Sequence, residues 1–391
     1  MNDVFILSAK RTPFGSFGGA LADLSAVELA AQVIRNLLAE TTLPGNLVDE
    51  VIIGQVLQGG AAQAPARQAM RMAGLPEHTA AMTINKVCGS GLKSLMLAAD
   101  SIALGHTAIA LAGGMESMSQ APYCLQKARF GQRLGHGQLL DMIITDGLQD
   151  PYSGRHMGEI TEDWIASHGL SREQQDAFAR RSYERSQAAV SNGTFAAEIA
   201  SVVIKTRKGE VTVSTDEEPF RGAIDKLAEL RPAFSKTGTI TAGNASTIND
   251  GAGIALLAGA EAVKAHNLTP IARLVASATN SIHPDLFPEA PVDAIRRCCS
   301  RAGVRLEDIG LFEINEAFAA VPLVAIKQLG LDPERVNVNG GAVSIGHPIG
   351  ASGARLTATL LREMKARGER YGLATLCIGG GEAVAALFES L

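Results

Sequence analysis

Three residues of this 391-residue chain have neighbours suited to chemistry, and two of them are cysteines. Cys88 stands directly before Gly89, Ser90 and Gly91, ahead of a stretch in which Leu92, Leu95, Met96, Ala99, Ile102 and Ala103 recur at helical spacing. That places the thiol at a helix start, where free amide hydrogens and the helix dipole favour a thiolate. By itself the motif fits a packing cysteine as well as a nucleophile. Cys377 ends the strand-like run Leu373 to Leu376 and meets Ile378, Gly379, Gly380 and Gly381. The carboxyl end of a strand is where open α/β sheets bind ligands, and the Gly379 amide can point into the same space. His347 lies between Gly346 and Pro348, so a turn holds it away from any core stripe, and it can take a proton from Cys88. Asn315 and Glu316 either cap the helix that follows or, through the Asn315 amide, anchor a water or a substrate oxygen.

The other cysteines give no framework. Five in all, widely scattered, they match neither a disulfide pattern nor a zinc spacing, so no metal site is expected. Cys298 and Cys299 fall in a helix-like stretch that stops at Gly303, and a buried free cysteine behaves as a small hydrophobe. Cys124 sits in a loop-like segment after Pro122.

The elements that must position these residues alternate. Short β-rich runs (Val4 to Leu7, Val51 to Gly54, Ala108 to Ala112, Leu311 to Ile314, Leu373 to Leu376) are interleaved with longer helical patterns, which is the signature of α/β layers. The plan occurs twice. Cys88-Gly89-Ser90-Gly91 opens a helix whose following strand is closed by Gly113-Gly114. Gly350-Ala351-Ser352-Gly353 opens a second, carrying Leu356, Leu360, Leu361 and Met364, whose strand is closed by Gly379 to Gly381. Two halves on one plan suggest an internal duplication. Between them, residues 119–244 are more polar, with helical segments and a capping box at Ser171 and Gln174, and form an inserted subdomain.

Composition narrows the function classes. Hydrophobic residues make up 46% and charged residues 19%, as in a packed globule of two or three units. A net charge of −5 argues against nucleic acid as a partner. No apolar run is long enough to span a bilayer, and the first residues, Met1 to Leu7, read as a buried strand and not a signal peptide, so a soluble cytoplasmic protein is expected.

Together the motifs resemble the thiolase family over essentially the whole chain. The matching stretches are Val87 to Gly91, Gly113 to Met118, Thr241 to Ser246, Asn315 to Phe318, Gly346 to Gly350 and Cys377 to Gly381, in that order. The resemblance implies two duplicated α/β halves in αβαβα layers, divided as 1–118 with 245–268, the inserted 119–244, and 269–391. It implies Claisen condensation or thiolysis through an acyl-enzyme on Cys88, with acetyl-CoA C-acetyltransferase activity expected first and a 3-ketoacyl-CoA thiolase of broader or longer chain length as the alternative. Cys377 would be the second acid/base. One oxyanion hole would use His347 and a water held by Asn315, and the other the amides of Cys88 and Gly379. Leu148, His156, Met157, Arg221, Phe234, Ala242, Ser246 and Phe318 match positions that contact coenzyme A in relatives. Coenzyme A would be a co-substrate with no tightly bound cofactor, and the chain would assemble as a homotetramer or homodimer, away from nucleic acid and membrane.

Two stretches depart from the family pattern. Asp285 to Pro291 replaces a glycine-rich run and puts Phe287 near the acyl pocket, and Glu382-Ala383 follows the triple glycine. A decarboxylating ketoacyl synthase would use histidine or asparagine where Cys377 stands. A non-catalytic acyl-CoA-binding protein would not need every catalytic position intact, and a nicotinamide dehydrogenase would carry a Gly-x-Gly-x-x-Gly where Arg11 to Gly15 stands.

Overall fold

Apolar residues alternate along the strands, so each strand offers side chains to two faces. In the strand Glu50–Gly54, Val51 and Ile53 point to one hydrophobic cluster and Ile52 to another. A sheet apolar on both faces must be covered on both. The computed structural model describes residues 2–222 and 224–391, so Met1 of the N-terminal run and Ala223 lie outside the described residues.

Among the described residues, ten strands share one hydrogen-bonded sheet. In one half, Ala80–Ile84, Glu50–Gly54 and Ile109–Ser117 run parallel, and Asn249–Gly259 and Val4–Arg11 follow antiparallel. The other half repeats this order: a parallel bridge from Val336 to Phe312, then Leu311–Ile314 parallel to Tyr371–Ile378, then Glu382–Ser390 and Ala272–Ser281 antiparallel. The halves join where Val4–Arg11 pairs Ala272–Ser281.

Three helical layers cover the halves. Ala26–Thr41 packs Val33, Ile34 and Leu37 on the outer face of the first half, and Ala290–Ala302 packs Val292, Ile295 and Cys298 on that of the second. Between them lie Ser90–Ala103 and Ser352–Arg367, whose Leu92, Leu95, Leu356 and Leu360 share one cluster with both half-sheets. The expected αβαβα layering is therefore present.

Some local expectations shift. Gly113 and Gly114 do not close their strand, which runs through them to Ser117. A Cβ on Gly113 would overlap the Gly253 carbonyl oxygen and one on Gly114 that of Gly350, so these glycines admit a close neighbouring backbone and do not mark a turn. Asn315 and Glu316 do not cap a helix: that helix is Ala320–Leu329, and both residues are buried in the loop before it. Cys124 lies in a short strand, Tyr123–Leu125. Cys298 and Cys299 are buried helix residues, and Ser171 and Gln174 make the capping box.

Residues 119–244 begin with an exposed hairpin, Tyr123–Leu125 with Leu139–Asp141, followed by the helices Met157–His168 and Arg172–Ser191. The later part of this stretch is tied to the core. Arg11 donates to Glu198 at 2.6 Å and to Asp216 at 2.6 and 2.9 Å, all three side chains being buried. Among the described residues no helix is long and apolar enough to cross a membrane.

Candidate active site

The turn that carries Cys88 is strained. Val87, a β-branched residue, has φ +46°, a conformation such residues rarely adopt. Side chains hold it there: Asn85 Oδ1 accepts from Val87 N at 2.9 Å, and Ser90 Oγ accepts from Lys86 N and donates to Val87 O. The turn lifts Cys88 just ahead of the helix Ser90–Ala103, as the spacing predicted. Gly89 matters for a different reason. A Cβ there would meet the tip of the Ile378 side chain, so glycine lets the strand end bearing Cys377 approach this turn with Ile378 in place.

His347 is held at its backbone and at both ring nitrogens. Its amide donates to Asn249 Oδ1 at 3.0 Å and to Thr247 O at 3.2 Å. Nδ1 lies 2.6 Å from Ser352 Oγ, whose own hydrogen goes to Pro348 O at 3.0 Å. Ser352 must then accept from the ring, which places the proton on Nδ1 and leaves Nε2 bare. Nε2 faces Asn315 Nδ2 at 3.3 Å. Burial, aided by the charge of Arg355, pushes the imidazole down to about 3, so it is neutral.

The thiols run against the expectation of a resting thiolate. Burial pushes Cys88 up to about 11 and outweighs the opposing pull of the nearby backbone amides of Gly379 and of Cys88 itself, with the Glu116 charge pushing the same way as burial. Cys377, buried in the strand Tyr371–Ile378, is raised further by burial and then by a charge on Cys88. An uncharged thiol beside an uncharged imidazole is thus the resting state, because the site is too dry to favour a preformed ion pair.

Cys88, Cys377, His347 and Gly379 line one cavity of about 220 Å³. Leu148, His156, Met157, Phe234, Ser246 and Phe318 line it too. Asn315 does not line the cavity but reaches His347 Nε2 with Nδ2, and its Oδ1 has no hydrogen-bond partner among the described residues. Arg221 and Ala242 are exposed and do not line this cavity. One wall is a run of rings: His156 stacks on Phe234 at 4.8 Å, Phe234 meets Phe318 edge-on at 6.1 Å, and Phe318 meets Phe287 at 6.4 Å. Phe287 is buried and lines the cavity, as the departure at that position suggested.

Such a site can form a covalent thioester, hold its carbonyl oxygen with two amides and move protons with a neutral histidine and a second thiol. Family models for the thiolase N-terminal domain and the thiolase C-terminal domain match residues 4–261 and 268–390. The chain belongs to the thiolase family. This thiolase is 51% identical to an acetyl-CoA acetyltransferase of Pseudomonas aeruginosa, over 98% of both chains. It is 49% identical to one of Escherichia coli, over 100% of both. Among solved structures, the Bacillus anthracis acetyl-CoA acetyltransferase matches with TM-score 0.97 and 42% identity, over 100% of this thiolase and 99% of that chain. Human mitochondrial 3-ketoacyl-CoA thiolase matches with 0.96 and 41%, over 100% and 99%.

Three supporting residues of this thiolase escaped the motif reading. Ser352 lay in a turn seen only as a helix start, although it stands five residues after His347. Asn249 has no local signal. Glu116 lay in a matched motif without a role; it is buried and accepts from the amides of Val56, Leu57 and Gly350 at 3.0, 3.1 and 3.0 Å, tying the His347 loop to a strand end. Among the described residues no group of three or more His, Cys, Asp or Glu side chains is placed to hold a metal ion.

Proposed function

We propose that this thiolase is an acetyl-CoA C-acetyltransferase, joining two acetyl-CoA into acetoacetyl-CoA and coenzyme A and running the reverse thiolysis through an acyl-enzyme on Cys88. The observation that carries this reading is the shared cavity, with one cysteine at a helix start, the other at a strand end, and a neutral histidine with a bare nitrogen.

In the first half-reaction His347 Nε2 takes the Cys88 proton as the sulfur attacks the thioester carbonyl. The backbone amides of Cys88 and Gly379, both near that sulfur, stabilise the oxygen of the thioester formed there. Coenzyme A leaves with the proton of Cys377. The site then holds an imidazolium and a Cys377 thiolate, and as a thioester Cys88 can no longer ionise and raise Cys377. In the second half-reaction the Cys377 thiolate takes a proton from the α-carbon of a new acetyl-CoA. The enolate oxygen receives a hydrogen bond from protonated Nε2, with Asn315 beside it. The carbanion attacks the acetyl group, Cys88 leaves as a thiolate, and His347 returns its proton. Every proton is accounted for, and each oxyanion donor typically contributes about 10²–10³ in rate.

Coenzyme A acts as a co-substrate, its pantetheine arm running along the Leu148, Met157, Phe234 and Phe318 wall, with residues 119–244 as its cover; no other cofactor is tightly bound. Arg221 and Ala242 would serve only outside the cavity, at the nucleotide end. The enzyme works in the cytoplasm as a homotetramer or homodimer, which light scattering of the purified protein decides.

Phe287 walls the acyl end and favours short chains over the longer ones of a broad 3-ketoacyl-CoA thiolase. Purified enzyme given coenzyme A and a series of 3-ketoacyl-CoAs should cleave acetoacetyl-CoA fastest. Phe287→Ala should move kcat/KM toward longer chains, by about tenfold for each one or two methylenes admitted. Failure to cleave any member of the series would sink the assignment, and a preference for long chains would select the broader thiolase.

A further inference from the structure

Behind His347, away from the cavity, lie buried charges that the reaction above leaves unused. Arg355 and Glu313 are enclosed, and Arg355 Nη1 donates to Glu313 Oε2 at 2.7 Å. Arg355 is on the helix Ser352–Arg367, three residues after Ser352. Glu313 is on the strand Leu311–Ile314, two residues before Asn315. Ser352 and Asn315 are the side chains that meet the two ring nitrogens of His347. Apolar packing between this helix and this strand is non-directional, whereas a charge-assisted hydrogen bond fixes both distance and direction.

We propose that the Arg355–Glu313 pair is a positioning device for His347, locking the helix that bears Ser352 to the strand that bears Asn315 so that Nδ1 stays protonated and Nε2 stays free of a proton beside Asn315. This rests on the reading of His347 as the proton acceptor for Cys88. Fold stability alone is a poor reason for the pair, since apolar residues of similar volume are often as good or better. Arg355 Nε and Nη2 have no hydrogen-bond partner among the described residues, so the guanidinium is held by one bond to one target. The charged and titratable groups around His347 are Arg355 on the helix, Glu313 and Glu316 on the strand and its following loop, Glu116 at the Gly350 end of its own loop, and Cys88 and Cys377 across the cavity. Of these, Arg355 is the charge that adds to burial in keeping the ring neutral.

Three variants of the full chain test the proposal: Arg355→Met, Arg355→Lys, and the double variant Arg355→Met with Glu313→Leu. Two quantities are read: the rate at which acetyl-CoA acylates Cys88, by intact-protein mass, and the titration of the His347 ring, by NMR of histidine-labelled protein. Arg355→Met should slow acylation about 10²-fold, the scale of a small misplacement of reacting groups. It should also move the His347 titration upward by about one unit or more, because a repelling charge is gone. Arg355→Lys should restore the titration while recovering only part of the rate, since it keeps the charge without the planar fork. The double variant exchanges both buried charges for apolar groups and should show the losses of Arg355→Met; it decides the matter if the single variant does not fold. Acylation within about threefold of the unmodified enzyme, together with an unmoved titration in a folded variant, overturns the proposal, being far short of that misplacement scale. His347→Ala separates the two layers. If it acylates at the unmodified rate, the proton-acceptor reading fails, while the titration arm still judges whether Arg355 sets the state of the ring.

Discussion

Cys88 and Cys377 carry the same functional group, yet their surroundings assign them different work. Cys88 is only part-buried, lies near two backbone amides and opens on the cavity, whereas Cys377 is buried in a strand, where burial first and any charge on Cys88 second oppose its ionisation. Cys88→Ala should therefore abolish acyl-enzyme formation. Cys377→Ala should still acylate slowly from acetyl-CoA while losing Claisen turnover, by intact-protein mass and product assay; equal loss of both steps would contradict the division of labour. The raised Cys88 thiol adds a pH signature. Its thiolate fraction is small at neutral pH and grows about tenfold per pH unit up to about 11. Alkylation of Cys88 by iodoacetamide should accordingly climb through pH 7–9 with no plateau, and a plateau there would mean that a stable ion pair with His347 exists after all.

At the scale of elements, the site depends on how closely the two central helices begin. A Cβ on Gly91 would lie 2.9 Å from Ala354 N and from Gly350 O, and one on Gly353 would overlap the backbone of Leu92. These are backbone contacts that no rotamer change relieves. Gly353→Ala should destabilise the fold by about 1–3 kcal/mol, measured by denaturant unfolding, and should lower acylation as well, because Ser352 and the His347 loop must shift with the helix start. Unchanged stability would show that the two helices can part at no cost. Lys86 and Glu382 form an ion pair between the Cys88 turn and the strand after the triple glycine, which gives the unusual Glu382 a structural partner. Being partly exposed, such a pair contributes little to stability, about 0–1 kcal/mol.

Over the whole molecule, buried carboxyls dominate the balance of charge. Burial raises Glu116 to about 7, and Glu198, Glu316 and Asp250 are raised as well. A carboxyl raised in the folded chain contributes stability that is complete below its unfolded pKa of about 4.5 and is lost as pH rises through the folded value. His347, lowered to about 3, acts in the opposite sense, its contribution being lost as pH falls from about 6.5 toward 3. The two effects oppose each other between about pH 4.5 and 6.5, and only the carboxyls act above that. Each proton so held lowers the unfolding free energy by about 1.4 kcal/mol per pH unit. The thermal midpoint should therefore fall between about pH 6.5 and 7, and Glu116→Gln should flatten that slope. A flat profile in the unmodified protein would show that these carboxyls are already ionised in the fold.

Much of this was legible in the sequence because it is written locally. Period-2 and helical apolar patterns, together with the repeated glycine punctuation, announce alternating layers and a duplication. Cys88, His347 and Cys377 each sit in a turn or at a strand end that a short window reveals. The tertiary structure decided what depends on distant neighbours. It turned Gly113 and Gly114 from strand stops into points of close backbone approach, put Asn315 at His347 Nε2 and not at a helix cap, and left Arg221 and Ala242 outside the cavity. It also supplied Ser352, which decides which ring nitrogen is bare, and the burial that keeps both thiols protonated. A residue's type and local pattern set what it can do; its ionisation, tautomer and partners follow from the low dielectric and the contacts that only the folded chain assembles around it.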